Sequence, residues 1–397
     1  MNVCFVTQAF VRYEGDPIGS FVFRLAEEMA THGAAVTMVA PHAGALPDTE
    51  TIGRTRVVRF RYAPPAFERL AYQGSMHNLV RGSVLNKALL MSFLASFVAQ
   101  TICTIRRQKS DFIHAHWWFP SGLVGAIASV LTGVPLVMTC HGTDVGLLGR
   151  NRAVDSVARW VFGRAAAITA VSTYLQQTLA SRLQELDSRV STIPMPVDRV
   201  FTEPTTRTAS RRNGQFTVLG AGRLSRQKGF HDLITAACMM KERGAGIKVL
   251  LIGDGEEEQS LKRLVSHLHI QDRVEFLGSK MAGELATFYR TCAAVALPAR
   301  DEGLGLTLIE AMFCGAAAVG ARSGGISDVI ADNETGLLVP PGDPRALADA
   351  LQRLLTDGSL ADRLSRAGQV SARRNYDPDA CMARMLAVYQ SVLHARR

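Results

Sequence analysis

Short apolar runs alternate with amphipathic segments along the first half of the chain. The runs indicate strands, and the segments between them repeat apolar residues at helical spacing. The predicted strands are Asn2–Val6, Ala35–Ala40, Phe112–His116, Leu136–Thr139 and Ala167–Ala170, and the predicted helices are Phe21–His32 and Gly122–Leu131. Apolar strands that alternate with helices are typical of a parallel sheet covered on both faces. The pattern therefore predicts a doubly wound α/β domain.

The second half of the chain repeats this alternation of apolar strands and helices. Its predicted strands are Phe216–Leu219, Lys248–Ile252, Val274–Phe276, Ala294–Leu297 and Ala317–Gly320, and its predicted helices are His231–Arg243, Glu284–Thr291 and Pro344–Thr356. A polar, proline-bearing stretch from Ile193 to Gly214 separates the halves and is a natural linker. The 397 residues suffice for two domains with separate cores. We expect two facing domains whose strand C-terminal loops border a common ligand cleft.

Composition favours a soluble protein of a reducing compartment. Hydrophobic residues make up 47% and charged residues 20% of the chain. The seven cysteines are scattered without close pairs, which indicates buried thiols rather than a disulfide framework or a zinc site. The N-terminal segment lacks a basic region and resembles a first buried strand, so we expect no secretion signal and a cytoplasmic location.

The net charge of +9 is concentrated in one segment. Between Arg54 and Lys109 there are ten basic residues and one acidic residue, Glu68. Within this segment, residues 88–105 carry no charge and are apolar enough to be a helix. Three interpretations stay open: a transmembrane span, a helix buried in the α/β domain, and an element at the surface of an anionic membrane. Nucleic acid is not an expected partner, because aromatic residues are 7% and no nucleic-acid module is present.

Two glutamates surround a glycine-rich turn in the segment Pro298–Gly315. Glu302 precedes the turn Gly303-Leu304-Gly305, and Glu310 lies in the apolar helix predicted to follow it. Backbone amides at the start of such a helix favour an anion, whereas the carboxylates favour hydroxyl groups. A sugar joined to a diphosphate satisfies both preferences.

A second glycine-punctuated loop, Gly220–Gly229, follows a predicted strand and contains Arg223 and Lys228. These side chains could neutralise a diphosphate, Arg as a planar fork and Lys as a point charge. A solvated basic loop is the alternative. The sequence near these two residues shows no acidic pair of the DxD type, so we predict no metal ion.

These motifs resemble those of glycosyltransferase family 4, whose members are retaining enzymes of the GT-B fold. The resemblance covers nearly the whole chain and includes the paired glutamates, the loop with Arg223 and Lys228, and three further motifs. These further motifs are His114–Gly122, Thr139–Val145 and Ser323–Asp343. The resemblance implies an acceptor domain at residues 1–198, completed by a crossover helix at 377–397, and a nucleotide-sugar donor domain at 199–376.

The resemblance also implies roles for residues of the donor domain. Arg223 and Lys228 would stabilise the leaving diphosphate, and Glu302 would hold hydroxyls of the donor sugar. The amides from Gly303 to Leu306 would contact the sugar and phosphate. Glu310 would accept hydrogen bonds from the ribose, and the loop at Lys280 and Met281 would hold the base.

In the first domain, the resemblance places His141 beside the reacting carbon of the sugar. Gly19 would let the first loop approach the diphosphate, although Ser20 follows it where the family often has a second glycine. His116, Trp117 and Asp144 are candidates for contact with the acceptor.

The implied activity is metal-independent transfer of a sugar from a nucleotide sugar, with UDP or GDP as the expected nucleotide, to an acceptor hydroxyl. The nucleotide sugar is a substrate, and no cofactor is expected. The basic segment suggests a lipid-linked or cell-envelope acceptor used in polysaccharide biosynthesis, with peripheral binding at the inner face of the membrane. A sugar-nucleotide epimerase and a non-catalytic carbohydrate-binding protein are the alternatives.

Overall fold

The chain forms two compact units in a computed structural model. The structure describes residues 1–72, 76–81, 83–184, 189–204 and 216–395. One unit comprises Met1–Met195 with Cys381–Arg397, and the other comprises Pro196–Ala380. Residues 205–214 of the predicted linker lie outside the described residues.

The first unit is built on an eight-stranded sheet. Its strands are β1 (Asn2–Val6), β2 (Ala35–Pro41), β3 (Thr49–Ile52), β4 (Thr55–Phe60), β5 (Phe112–His116), β6 (Leu136–Cys140), β7 (Ala165–Ala170) and β8 (Val190–Thr192). Its helices are α1 (Ser20–Thr31), α2 (Met76–Arg81), α3 (Val84–Gln108), α4 (Leu123–Thr132), α5 (Arg152–Arg164) and α6 (Thr173–Arg182). The strand order is β3-β4-β2-β1-β5-β6-β7-β8, with every pairing parallel except β3–β4. The predicted parallel sheet is confirmed, and its order reverses at β1 as in a doubly wound fold.

The antiparallel hairpin of β3 and β4 was not predicted from the sequence. β4 carries Arg56 and Arg59 among its apolar residues, so the strand looks like part of a basic loop. Arg59 is nevertheless buried, and its guanidinium contacts the Glu50 carboxylate at 2.7 Å. This ion pair across the hairpin makes a charged position compatible with a buried strand.

The charge of segment 54–109 is partly neutralised by residues just before it. Arg59 pairs with Glu50, and Arg61 pairs with Asp48 at 2.8 Å. A charge count that begins at Arg54 omits both carboxylates. Among the described basic residues that are exposed within the segment, Arg54, Arg56 and Arg61 lie in or next to the hairpin, and Lys87, Arg106, Arg107 and Lys109 lie on or directly after α3.

The uncharged stretch at 88–105 lies inside α3, one face of which packs on the sheet. Phe93 and Phe97 are fully buried, and Phe97 stacks on Phe60 at a centroid distance of 4.3 Å. Within the described residues, α3 is the one helix long and apolar enough to cross a membrane by length and composition. Its buried face supports the interpretation of a helix that belongs to the α/β domain.

The second unit is built on a six-stranded parallel sheet. Its strands are β9 (Phe216–Ala221), β10 (Ile247–Ile252), β11 (Val274–Phe276), β12 (Ala294–Leu297), β13 (Ala317–Ala321) and β14 (Leu337–Val339), in the order β11-β10-β9-β12-β13-β14. Its helices are α7 (Arg199–Thr202), α8 (Phe230–Glu242), α9 (Glu258–His267), α10 (Ala282–Thr291), α11 (Leu306–Phe313), α12 (Ile326–Val329), α13 (Pro344–Thr356) and α14 (Gly358–Asn375). The last helix of the chain is α15 (Pro378–His394). Because parallel strands end at the same edge, the loops after β9, β10, β11 and β12 are neighbours.

Candidate active site

The loop after β9 carries the two predicted diphosphate ligands. Lys228 lies in a single 3₁₀ turn, Arg226–Lys228, which ends at Gly229 in a left-handed conformation with φ 70°. A Cβ atom at Gly229 would collide with the Pro298 carbonyl oxygen. Glycine at this position therefore lets the loop pack directly against the end of β12.

Lys228 and Glu302 meet at this contact between the two loops. The Lys228 Nζ atom donates to Glu302 Oε2 at 2.7 Å, and both side chains are largely but not completely buried. Gln227 Nε2 donates to the Asp301 carbonyl oxygen at 2.9 Å, which ties the loops together through a second bond. A cation and a carboxylate predicted from motifs 74 residues apart thus form one site.

The N-terminus of α11 lies directly after this pair. Gly305 is its N-cap residue with φ 91°, and no side chain caps the helix. No side chain therefore competes with an anion for the amides of Leu306 and Thr307, whereas the Leu308 amide donates to the Gly305 carbonyl oxygen at 2.9 Å. The helix dipole favours negative charge at this end. The arrangement brings a cation, backbone amides and a carboxylate together within neighbouring loops.

The segment Ser323–Gly325 forms hydrogen bonds with the backbone of the loop that carries Glu302. Ser323 Oγ accepts a hydrogen bond from the Asp301 amide at 2.9 Å, and the Gly325 amide donates to the Glu302 carbonyl oxygen at 2.8 Å. A Cβ atom at Gly324 would fall inside contact distance of that same carbonyl oxygen. This close packing is a physical reason for the glycines of the Ser323–Asp343 motif.

Arg223 contacts an acidic residue of the loop after β10. Its Nη2 atom lies 3.0 Å from Glu256 Oε2, and both side chains are about half exposed. Asp254 lies in the same loop, and Ser279 Oγ donates to its carboxylate at 3.0 Å. The Arg223–Glu256 contact joins residues that lie far apart in the sequence, and the absence of an essential metal ion stays a prediction. Within the described part of the chain, no cluster of three His, Cys, Asp or Glu side chains suits a metal ion.

Glu310 is buried within α11. The Tyr289 hydroxyl of α10 donates to Glu310 Oε2 at 3.3 Å. Burial, with Glu310 nearby, raises the pKa of Tyr289 well above its ordinary value, so the hydroxyl stays protonated and can donate. No local motif points to Tyr289, because its partner lies on a different helix.

The predicted base loop follows β11. Lys280 lies 3.8 Å from Glu284, and the Met281 amide donates to the Glu284 carboxylate at 3.1 Å where α10 begins. Met281 is exposed. The loop is therefore anchored by its own helix start, and it presents an apolar side chain to solvent.

In the first unit, Gly19 is the N-cap residue of α1 and adopts φ 73°. A Cβ atom there would lie 2.6 Å from the Ala9 carbonyl oxygen. This position therefore requires glycine, for a conformational and a steric reason together.

His141 follows β6 and lies among aromatic rings. Its ring centroid is 5.0 Å from Phe21, 4.7 Å from Trp117 and 5.3 Å from His116. The His116 Nδ1 and His141 Nε2 atoms are 3.1 Å apart, at hydrogen-bonding distance. Burial lowers the pKa of His141 to about 3, so the ring is neutral near neutral pH.

The three acceptor candidates contact the His141 loop. His116, Trp117 and Asp144 are all buried. The Asp144 carboxylate accepts hydrogen bonds from the amides of Trp118, His141 and Gly142 at 2.9–3.1 Å, which fixes the turn that carries His141. These contacts position the His141 turn, and contact of the three residues with an acceptor stays a prediction.

Trp117 shows where this part of the chain is strained. It has φ 66° although it is not glycine, at the point where β5 ends. Such a conformation costs on the order of 1–3 kcal/mol and is found preferentially at functional sites. The residue with this strained backbone is also the one whose ring packs on His141.

The chain resembles known glycosyltransferases in both of its units. Residues 18–196 match the family described as Glycosyl transferase 4-like domain, and residues 203–371 match Glycosyl transferases group 1. A D-inositol 3-phosphate glycosyltransferase of Pseudarthrobacter chlorophenolicus is 32% identical over 341 residues, which cover 78% of this chain and 79% of that protein.

Solved structures agree in fold. Sucrose-phosphate synthase from Thermosynechococcus elongatus superposes with a TM-score of 0.80 at 24% identity, over 100% of both chains. Anabaena Alr3699/HepE in complex with UDP-glucose superposes with a TM-score of 0.74 at 21% identity, over 98% of this chain and 100% of that one. The predicted fold class, with two parallel α/β units as in GT-B enzymes, is confirmed. The chain belongs to the group 1 glycosyl transferases and is a nucleotide-sugar-dependent glycosyltransferase, not an epimerase or a non-catalytic binding protein.

Proposed function

We propose that this enzyme transfers a sugar from a UDP- or GDP-sugar to an acceptor hydroxyl and retains the α configuration. The observation that carries the proposal is the contact between Lys228 and Glu302 beside the uncapped N-terminus of α11. Lys228 and the α11 amides suit the diphosphate, and Glu302 suits the hydroxyls of the sugar. Arg223 would bind the diphosphate as well, after exchanging its partner Glu256 for phosphate oxygens.

The proposed reaction breaks the bond between the sugar C1 atom and the diphosphate oxygen. The electron pair of that bond leaves with the diphosphate, and the acceptor oxygen forms the new bond to C1 from the same face. The acceptor's proton passes to the leaving phosphate oxygen. The protein's main task is then to stabilise charge that develops on the diphosphate, which fixed cations and amides do well.

UDP is the nucleotide that we test first. The fold neighbour from Anabaena was solved with UDP-glucose, and this supports UDP without fixing it for the present chain. The exposed Met281 and the anchored loop around it provide an apolar surface for a base. GDP-sugars are the second arm of the test.

The acceptor that we propose is a lipid-linked or cell-envelope glycan, used by a cytoplasmic enzyme at the inner face of the membrane. Support comes from the exposed basic residues on and after α3. The relatives named above differ in their acceptors, so family membership alone does not select one.

The experiment that tests the proposal follows transfer directly. The full chain is incubated with UDP-glucose, UDP-N-acetylglucosamine or GDP-mannose and a lipid extract of bacterial membranes. We expect release of nucleoside diphosphate together with a new glycosylated product, whose anomeric proton shows an α linkage by NMR. Conversion of the free nucleotide sugar without an acceptor product, or a β-linked product, would overturn the proposal.

A further inference from the structure

The inner face of α3 holds this helix in the core of the first unit. Phe93 and Phe97 are fully buried and contact Phe60 at centroid distances of 4.9 and 4.3 Å. The Ser92 hydroxyl also donates to the Tyr62 carbonyl oxygen at 2.5 Å. The helix is therefore fixed against the sheet, and its opposite side points to solvent.

That opposite side is an exposed apolar stripe, which we name the α3 outer face. It consists of Val84, Ala88, Met91, Ala95 and Ala99, at the three- and four-residue spacing of one helix face. Val84 is 83% exposed and Met91 is 66% exposed. Only 33% of the most apolar 18-residue stretch of α3 is buried. A contiguous apolar surface of this kind indicates a binding partner.

The charges next to the α3 outer face have a single sign. Lys87 lies in its first turn, Arg106 and Arg107 in its last turn, and Lys109 directly follows the helix; all four are exposed. Residues 69–110 contain no Asp or Glu. The apolar stripe therefore has positive charge at both ends and no acidic residue along it.

The neighbouring helix extends the same character. α4 packs against α3, and residues 112–143 contain no Asp, Glu, Lys or Arg. At the end of α4, Val130 is 51% and Leu131 is 59% exposed. Two adjacent helices thus present apolar side chains to solvent without any negative charge.

We propose that the α3 outer face docks on an anionic lipid bilayer. The apolar stripe enters the boundary between headgroups and acyl chains, as the apolar face of an interfacial helix does. Lys87, Arg106, Arg107 and Lys109 contact the anionic headgroups. The inference rests on the membrane location given in the proposed function and deepens it by naming the surface that makes the contact; it does not depend on the transfer reaction.

The geometry favours a surface contact over the other ways to cover this face. A transmembrane position would pull Phe93 and Phe97 out of the core, whereas docking leaves them in place. In a symmetric pair of chains joined through α3, each basic end would face a basic end of the other copy. Repulsion between these like charges disfavours a second copy as the occupant.

The test is flotation of the full chain with phosphatidylcholine vesicles that contain or lack phosphatidylglycerol. We expect binding only to the anionic vesicles, weakened by high salt. Met91→Glu and the double variant Arg106→Glu/Arg107→Glu should each lower the partition coefficient on the order of tenfold. The matched controls are Val370→Glu, at a position 67% exposed on α14, and Arg373→Glu/Arg374→Glu in the last turn of α14, and both should bind like the wild type.

Equal thermal midpoints by tryptophan fluorescence show that the variants fold. Three outcomes would overturn the proposal: no binding of the wild type to anionic vesicles, equal loss in the α14 controls, or unchanged binding of both α3 variants. If size-exclusion chromatography shows a dimer that Met91→Glu dissociates while vesicle binding persists, a second copy covers this face instead.

Discussion

At the scale of single residues, the proposed donor site contains a contact between Lys228 and Glu302. Their 2.7 Å pairing holds each side chain in place while no ligand is bound. In the proposed complex the ammonium group turns to the diphosphate and the carboxylate accepts hydrogen bonds from the sugar. Each partner then acts in a role that the other cannot replace.

We predict that Glu302→Gln lowers turnover at least about a hundredfold. Removal of one preorganised group that stabilises the transition state usually has an effect of this size. The amide keeps the size of the side chain but loses its charge and half of its acceptor capacity. The readout is kcat for nucleotide release, and Glu334→Gln, an exposed site, is the matched control. Wild-type turnover in Glu302→Gln would contradict the assigned role.

Buried histidines give the first unit a dependence on pH. His114 is fully buried between the Tyr389 hydroxyl and Thr139 Oγ1, each at 2.7 Å, and burial lowers its pKa to about 3. Below the unfolded-state pKa of about 6.5, the unfolded chain takes up a proton that the folded chain cannot hold. Stability therefore falls as the pH decreases.

We predict that this one histidine removes about 2 kcal/mol of unfolding free energy between about pH 7 and about pH 5. Urea unfolding followed by tryptophan fluorescence measures it, because Trp117, Trp118 and Trp160 all lie in the first unit. In His114→Gln the decrease in unfolding free energy between these two pH values should be smaller by about that amount. An identical pH slope in the variant would show that His114 does not titrate in this way.

Prediction from sequence worked for residues with a motif and failed for their partners. Lys228 and Glu302 follow from loop chemistry, and the structure brings them together. Tyr289 and Glu256 carry no local signal, because each contacts its partner across two elements distant in the chain. Such pairs depend on tertiary packing rather than on local pattern.

At the scale of elements, tight packing between loops positions the site. Gly324 lies against the Glu302 backbone, and Gly229 against the end of β12. The sequence predicts both as loop glycines but does not predict what they touch. The β3–β4 hairpin was missed for a related reason, because the partner of Arg59 lies on the opposite strand.

We predict that Gly324→Ala lowers the affinity for nucleotide sugar on the order of tenfold or more, because the added methyl group displaces Glu302. Gly244→Ala is the control. Gly244 also has a positive φ, 75° compared with 57° at Gly324, but no atom lies within 4 Å of the added carbon. Isothermal titration of both variants checks this. A loss of equal size in Gly244→Ala would mean that backbone strain, not displacement of Glu302, is responsible.

The loop after β10 leads to a prediction about metal ions. Glu256 is engaged with Arg223, and Asp254 with Ser279, so these carboxylates have protein partners. We expect transfer to be unchanged when EDTA is present. A loss of turnover that Mg²⁺ or Mn²⁺ restores would contradict this expectation.

At the scale of the whole molecule, two sheets in separate units carry different parts of the proposed sites. The second unit carries the donor loops, and the first carries His141 with its support and the α3 outer face. The two-domain architecture follows from the alternation of strands and helices. The placement of charge does not follow from it, because Asp48 and Glu50 neutralise residues that a linear count leaves unopposed.

The affinity for UDP compared with UMP tests the central claim most directly, because the two ligands differ by the one phosphate that completes the diphosphate. By isothermal titration we predict that the wild type prefers UDP at least about tenfold, a preference that charge-assisted hydrogen bonds can supply. Lys228→Met should abolish most of this preference, whereas Lys262→Met, which removes an exposed partner of Glu258, should retain it. Equal affinity of the wild type for UDP and UMP, or an undiminished preference in Lys228→Met, would contradict the account.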